Sequence, residues 1–174
     1  KVASLRSHLA SAAALLKTSE EDVPARVEAM LSRTRTLEHE LEAVRGAQRG
    51  VEAAELAASA ETVGDAKLLV VRRDGLRPDE LRELALDLKG RLGSCLVVVG
   101  GANDGKGALV GTATEDLVSQ GVSAGEIVGF AARELGGGGS RDPLLAQAGG
   151  PNDSKMAAAL DVAREEAGRA LAAL

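Results

Sequence analysis

The sequence predicts an α/β protein: an N-terminal helical, coiled-coil-like arm over residues 1–64, then a small α/β globular domain with one sheet over residues 65–174. Three features carry that reading. Up to Val51 the apolar residues recur at alternating steps of three and four, the period of one helix face. Beyond Gly64 they cluster into short continuous runs, the pattern of strands buried on both sides. Helix-start signals fall between and after those runs, and strands interleaved with helices imply helices packed on a sheet.

Taken in order, Val2, Leu5, Leu9, Ala12 and Leu16 mark one face of a first helix. Thr18-Ser19-Glu20-Glu21-Asp22 breaks it, and acidic residues with Pro24 in the first turn start a second helix over about 23–58. Val23, Val27, Met30, Thr34, Leu37, Leu41, Val44, Gln48 and Val51 form a heptad seam along it. Such a helix is roughly 50 Å long, and Gly46 and Gly50 each cost it about 1 kcal/mol relative to Ala, so a bend or break there is compatible. The seam can pack on the first helix as an antiparallel hairpin, or pair with a second chain. Val27, Met30, Leu37, Leu41 and Val44 are the candidate dimerisation residues, and in either arrangement they should be buried.

In the second half, Lys67–Val71 reads as a strand, and Arg77-Pro78-Asp79-Glu80 opens a helix to about Lys89. Cys95–Val99 reads as a strand buried on both faces, and Ala108–Ala113 as a third strand after the turn Asn103-Asp104-Gly105. Ser123 to Leu135 reads as a helix, with Ser123 as N-cap and Glu126 completing a capping box. After Gly136–Gly139, Asn152-Asp153-Ser154 caps a last Ala-rich helix.

Composition narrows the function. The net charge is −5, so no basic domain grips phosphates non-specifically. With no Trp or Tyr and one Phe, the aromatic stacking series of single-strand binders is missing. No apolar run approaches the ~20 residues of a membrane span. The chain opens at Lys1-Val2-Ala3, without Met or an apolar signal core, and reads as a piece of a longer protein. A single cysteine, Cys95, excludes an internal disulfide and a multi-Cys zinc site, and fits a reducing cytosol. His8 and His39 lie 31 residues apart without a ligand partner at metal spacing, and read as surface residues. No nucleophile, base and orienting group suggest themselves, so neither a catalytic residue nor a metal ligand is assigned. Gly100-Gly101-Ala102-Asn103-Asp104-Gly105-Lys106 matches the first seven positions of a P-loop. However, Gly107 stands where a magnesium-binding hydroxyl is needed, and a β-like run follows where a helix should begin. A hairpin turn is the expectation.

Gly136 to Gly150 is the unusual segment. Four consecutive glycines are kept either as a linker or to let backbone approach a phosphate closely, with Arg141 and free N–H groups facing the anion. Both readings stay open on composition.

Gly136–Gly150, with the capped Ala-rich helix after it, closely resembles the C-terminal end of bacterial alanyl-tRNA synthetases, a glycine-rich domain type also attached to DHH-superfamily phosphoesterases. Val122–Gly129 resembles the family's helix before the glycine run. Leu15-Leu16-Lys17 and Leu37-Glu38-His39-Glu40-Leu41 resemble its linking coiled coil. Ser140, where a further Gly is common, and the Leu144-Leu145 pair depart from the pattern and leave the loop geometry open. The resemblance implies the C-terminal module of a cytoplasmic alanine–tRNA ligase. That module would contact the elbow of tRNA(Ala), couple aminoacylation with editing, and assist homodimer formation. It would carry no cofactor itself; ATP, Mg and Zn would serve domains upstream of Lys1. Gly137, Gly138, Gly139, Arg141, Lys155 and Lys106 are the candidate nucleic-acid-binding residues. The alternatives are the tail of a DHH-type exonuclease or phosphodiesterase, and a purely structural dimerisation module.

Overall fold

The computed structural model describes residues 2–174. The chain divides into two compact units, one ending at Gly50 and the other running Val51–Leu174.

In the first unit, α1 (Val2–Leu16) ends where Lys17 takes a left-handed conformation, φ 54°. The Lys17 and Thr18 N–H groups return to the Ala14 and Ala13 carbonyls, closing the helix end. Ser19 then closes the turn ahead of the next helix, its hydroxyl accepting from the Asp22 N–H and donating to the Asp22 carboxylate at 2.6 Å. Helix α2 (Val23–Ala58) stays continuous through Gly46 and Gly50. Val27, Met30, Leu37, Leu41 and Val44 are each 40–55% exposed. The first helix therefore does not cover the seam, and the hairpin expectation is corrected: the stripe is left open within the single chain.

The second unit is built on β1 (Glu61–Val63), β2 (Ala66–Arg72), α3 (Pro78–Leu92), β3 (Cys95–Asn103), β4 (Lys106–Ala113), α4 (Glu115–Ser119), α5 (Ala124–Glu134), β5 (Gly138–Gly139), β6 (Leu145–Gly150) and α6 (Met156–Ala172). The strands form one six-stranded sheet in the order β1-β2-β3-β4-β6-β5. Only β2 and β3 run parallel, which is why a helix, α3, connects them. The strand period splits the apolar residues between two layers. Leu69, Val71, Cys95, Val97, Val99 and Val110 face α3, through Leu81, Ala85, Leu88 and Leu92. Leu68, Leu96, Val98, Leu109 and Ala146 face α5 and α6. The predicted double burial of the Cys95–Val99 run is thus realised.

Four short elements, β1, α4, β5 and β6, were not expected. The expected cap of the last helix also differs: Asp153–Lys155 forms a 3-10 turn ahead of Met156, without a capping side chain. Of the box expected at α5 one half forms, the Ser123 hydroxyl accepting from the Glu126 N–H at 3.3 Å.

Candidate nucleic-acid interface

Helix α5 presents two faces. Ile127, Val128, Ala131 and Ala132 are buried in the core, while Glu126, Gly129, Phe130 and Arg133, at i, i+3, i+4 and i+7, form the outer stripe. The helix ends at Gly136, φ 73°, a conformation that favours glycine, with the Gly136 and Gly137 N–H groups bonded to the Arg133 and Ala132 carbonyls. The chain turns back and lays Gly138–Gly139 as the sheet's edge strand, against Gly149 and Ala148.

The glycines have an unforeseen role here. A Cβ on Gly137 would stand 1.8 Å from the Gly149 carbonyl oxygen, and one on Gly139 would stand 2.1 Å from that of Gln147. The backbone they approach so closely is therefore the chain's own β6. Gly138 alone of the three has open space where a Cβ would be.

The following loop is clamped. The Ser140 N–H donates to the Gln147 carbonyl at 2.8 Å. The Asp142 carboxylate accepts from the Leu144 and Leu145 N–H groups, and the Pro143 carbonyl accepts from the Ala124 N–H at the start of α5. A Cβ on Gly125 would fall 2.4 Å from the Arg141 carbonyl carbon, so glycine is what allows the loop to lie on the helix. The Arg141 backbone is thereby fixed and its side chain exposed.

Between the α5 stripe and this edge lies an open groove of about 580 Å³. Its walls are Gly125, Glu126, Gly129, Phe130 and Arg133 on one side and Gly137–Arg141 on the other. The Arg133 guanidinium sits over the Phe130 ring at 4.8 Å. Among the described residues neither Arg133 nor Arg141 makes an ion pair. Two unpaired guanidiniums beside a wall of bare backbone suit an anionic chain, since guanidinium binds phosphate through two parallel N–H bonds.

The fold thus gathers Gly137, Gly138, Gly139 and Arg141. Lys106 lies elsewhere, on a separate apolar groove of about 420 Å³ that shares only Gly138 with the first. Lys155 is exposed on the 3-10 turn and lines neither groove. Phe130 and Arg133 were missed as site residues. The signal was present, because both share the helix face of Glu126, but the core-facing period of α5 is the stronger pattern and masks it.

The near-P-loop is a hairpin, as expected. Asn103 pairs with Lys106 across Asp104 and Gly105, φ 50° and 75°, the two left-handed residues of a tight β-turn. The adjoining Gly101 makes room for the Arg73 carbonyl, 1.8 Å from where its Cβ would be. Asp74 accepts from the Ala102 N–H at 2.9 Å, and that bond, against an opposing desolvation and with help from Arg72, lowers the Asp74 carboxyl pKa. Cys95 is buried, and desolvation pushes its thiol up to about 11. His8 and His39 are exposed, and among the described residues no three His, Cys, Asp or Glu side chains converge as a metal site would need. No helix of the described residues is long and apolar enough to cross a membrane.

A model of the DHHA1 domain matches residues 65–169. The chain belongs to the DHHA1 domain family. It is also 42% identical over 160 residues to an alanine–tRNA ligase of Acidothermus cellulolyticus, a match covering 88% of this chain and 18% of that relative. The chain therefore spans less than a fifth of the curated relative's length. Among solved structures, the C-Ala domain of Aquifex aeolicus alanyl-tRNA synthetase superimposes with a TM-score of 0.55 at 29% identity, covering 63% of this chain and 98% of that one. RecJ from Thermus thermophilus, in complex with Mg2+, reaches a TM-score of 0.51 at 16% identity over 87% of this chain and 21% of its own, a likeness of fold alone. The resemblance to the C-terminal end of alanyl-tRNA synthetases holds, and this DHHA1 domain carries the glycine segment at its sheet edge.

Proposed function

We propose that this chain is the C-terminal RNA-binding module of a cytoplasmic alanine–tRNA ligase, and that the groove between α5 and the β5 edge holds tRNA(Ala) at its elbow. The observation that carries the reading is the convergence of Arg141, Arg133 and the Gly137–Gly139 edge on one open groove of a fold shared with the C-Ala domain. The chain is net acidic, so affinity rests on these local cations, with Lys106 and Lys155 as outlying contributors. The module performs no chemistry; it positions tRNA and couples aminoacylation with editing in domains that use ATP, Mg and Zn elsewhere in the parent ligase. The open seam from Val27 to Val44 pairs with a second copy of the chain. The tail of a DHH-type phosphoesterase is the weaker reading, since the RecJ likeness is confined to fold while the ligase relative is 42% identical.

The test is a gel shift of tRNA(Ala) with the parent chain, Arg141→Ala and Lys17→Ala. Arg141→Ala should weaken binding with its circular dichroism unchanged, and Lys17→Ala should bind as the parent does. Parent-like binding by a folded Arg141→Ala protein would remove the groove from the interface.

A further inference from the structure

The chain contains a single aromatic residue, and it is spent at the surface. Phe130 is 42% exposed on the outer stripe of α5, although the same helix buries Ile127 and Val128. Three independent features share its groove. The Arg133 guanidinium lies over it at 4.8 Å, within the range of a cation–π contact. Gly129, immediately before it, leaves open space where a Cβ would stand, so nothing on the helix walls off that side. The opposite wall of the groove is the bare backbone of Gly138, also open at its Cβ position. An isolated exposed phenylalanine needs no explanation. One stacked with a guanidinium, in an open groove that a glycine edge and a second arginine also line, forms a ring–guanidinium pair beside open space.

We propose that Phe130 and Arg133 form a stacking platform for one unpaired nucleobase, with Arg141 and the β5 edge holding the adjoining phosphate. The proposal rests on the reading of the groove as an RNA site and adds the chemistry of what enters it. Aromatic rings and guanidinium planes are the two surfaces on which proteins stack splayed-out RNA bases. Along α5 the Arg141 backbone rests on Gly125, beside Glu126, and Arg133 stands three residues beyond Phe130 toward the other end, so the ring lies between the two arginines. The Glu126 carboxylate is an acceptor for an N–H group on a base edge or for a ribose 2′-hydroxyl.

The composition supplies a direct probe. Because the chain has neither Trp nor Tyr, Phe130→Trp makes residue 130 the sole indole, and a base stacked on it quenches its fluorescence. Fluorescein-labelled tRNA(Ala) transcript, followed by anisotropy, reads binding in parallel. Phe130→Leu should weaken binding roughly 5- to 150-fold, the span of one base–aromatic stack. Phe130→Trp should restore it and show quenching that saturates with tRNA at concentrations where AMP gives none. Parent-like affinity of a folded Phe130→Leu protein, or bound tRNA without indole quenching, would overturn the platform while leaving the groove's RNA role intact. Equal quenching by AMP would assign the platform to free nucleotides and overturn the RNA base. Absence of any tRNA binding by the parent would overturn the RNA reading of the groove itself, and the platform with it.

Discussion

Replacing Gly139 with alanine isolates the structural use of the glycine run from its binding use. The new Cβ would stand 2.1 Å from the Gln147 carbonyl oxygen and 2.4 Å from the Ala148 Cα, where ordinary contact begins at 3.4 Å. The edge strand must therefore move off β6 by about 1.3 Å, because both obstacles are backbone and cannot rotate away. Such a shift forfeits the bond from the Ser140 N–H to the Gln147 carbonyl and the β5–β6 pairing. Each bond is worth about 1 kcal/mol net, and forced overpacking adds about 1–3 kcal/mol, so the total is roughly 2–5 kcal/mol. Peeling β5 away relieves the clash, so the global loss is capped by the free energy of that local opening. Gly138→Ala, whose Cβ meets nothing within 4 Å, should change stability by less than about 0.5 kcal/mol. Urea unfolding followed by circular dichroism is the suitable assay, with Ser140 amide exchange reporting local opening. A Gly139→Ala protein as stable as Gly138→Ala, with Ser140 equally protected, would refute the close-approach argument.

Two further outcomes are expected. On the arm, Leu41 is half exposed in the single chain, so Leu41→Glu should leave the fold intact while converting a sedimenting dimer to a monomer; a parent that already sediments as a monomer at every concentration contradicts pairing through the seam. In the core, desolvation raises the Cys95 thiol from 9.0 to about 11, so its stabilising contribution is full below pH 9 and is lost as pH climbs toward 11, by up to about 3 kcal/mol. Cys95→Ala should flatten that part of the stability profile, and iodoacetamide should label the parent only as fast as it unfolds; an unchanged profile, or prompt labelling of folded protein, goes against a sealed thiol.

How much of this was legible in the sequence depended on where information is local. The Cys95–Val99 strand and the Asp104–Gly105 turn announce themselves through an unbroken apolar run and two residues that tolerate left-handed backbone. Strand β6 does not, because Leu145–Gly150 contains no β-branched or aromatic residue and becomes a strand only through pairing with β4. The glycine run was legible as a demand for close approach, but the partner, β6, lies about ten residues away in sequence and appears only on folding. The period of the seam was legible but not what covers it, since a stripe on one helix does not name its neighbour. Arg141 and the three glycines stand out together in sequence because they are contiguous; Phe130 and Arg133 join them on one groove only when the chain reverses at Gly136.

The most direct test of the central claim is to map backbone amide shifts of isotopically labelled chain by TROSY NMR as tRNA(Ala) is added. The amides of Gly129, Phe130, Arg133, Gly138, Ser140 and Arg141 should shift together and saturate together, at an affinity that falls with salt at a log–log slope no steeper than about −3, as two or three phosphate contacts require. Saturating shifts confined to residues outside that groove, or a slope far steeper than about −3, would contradict it.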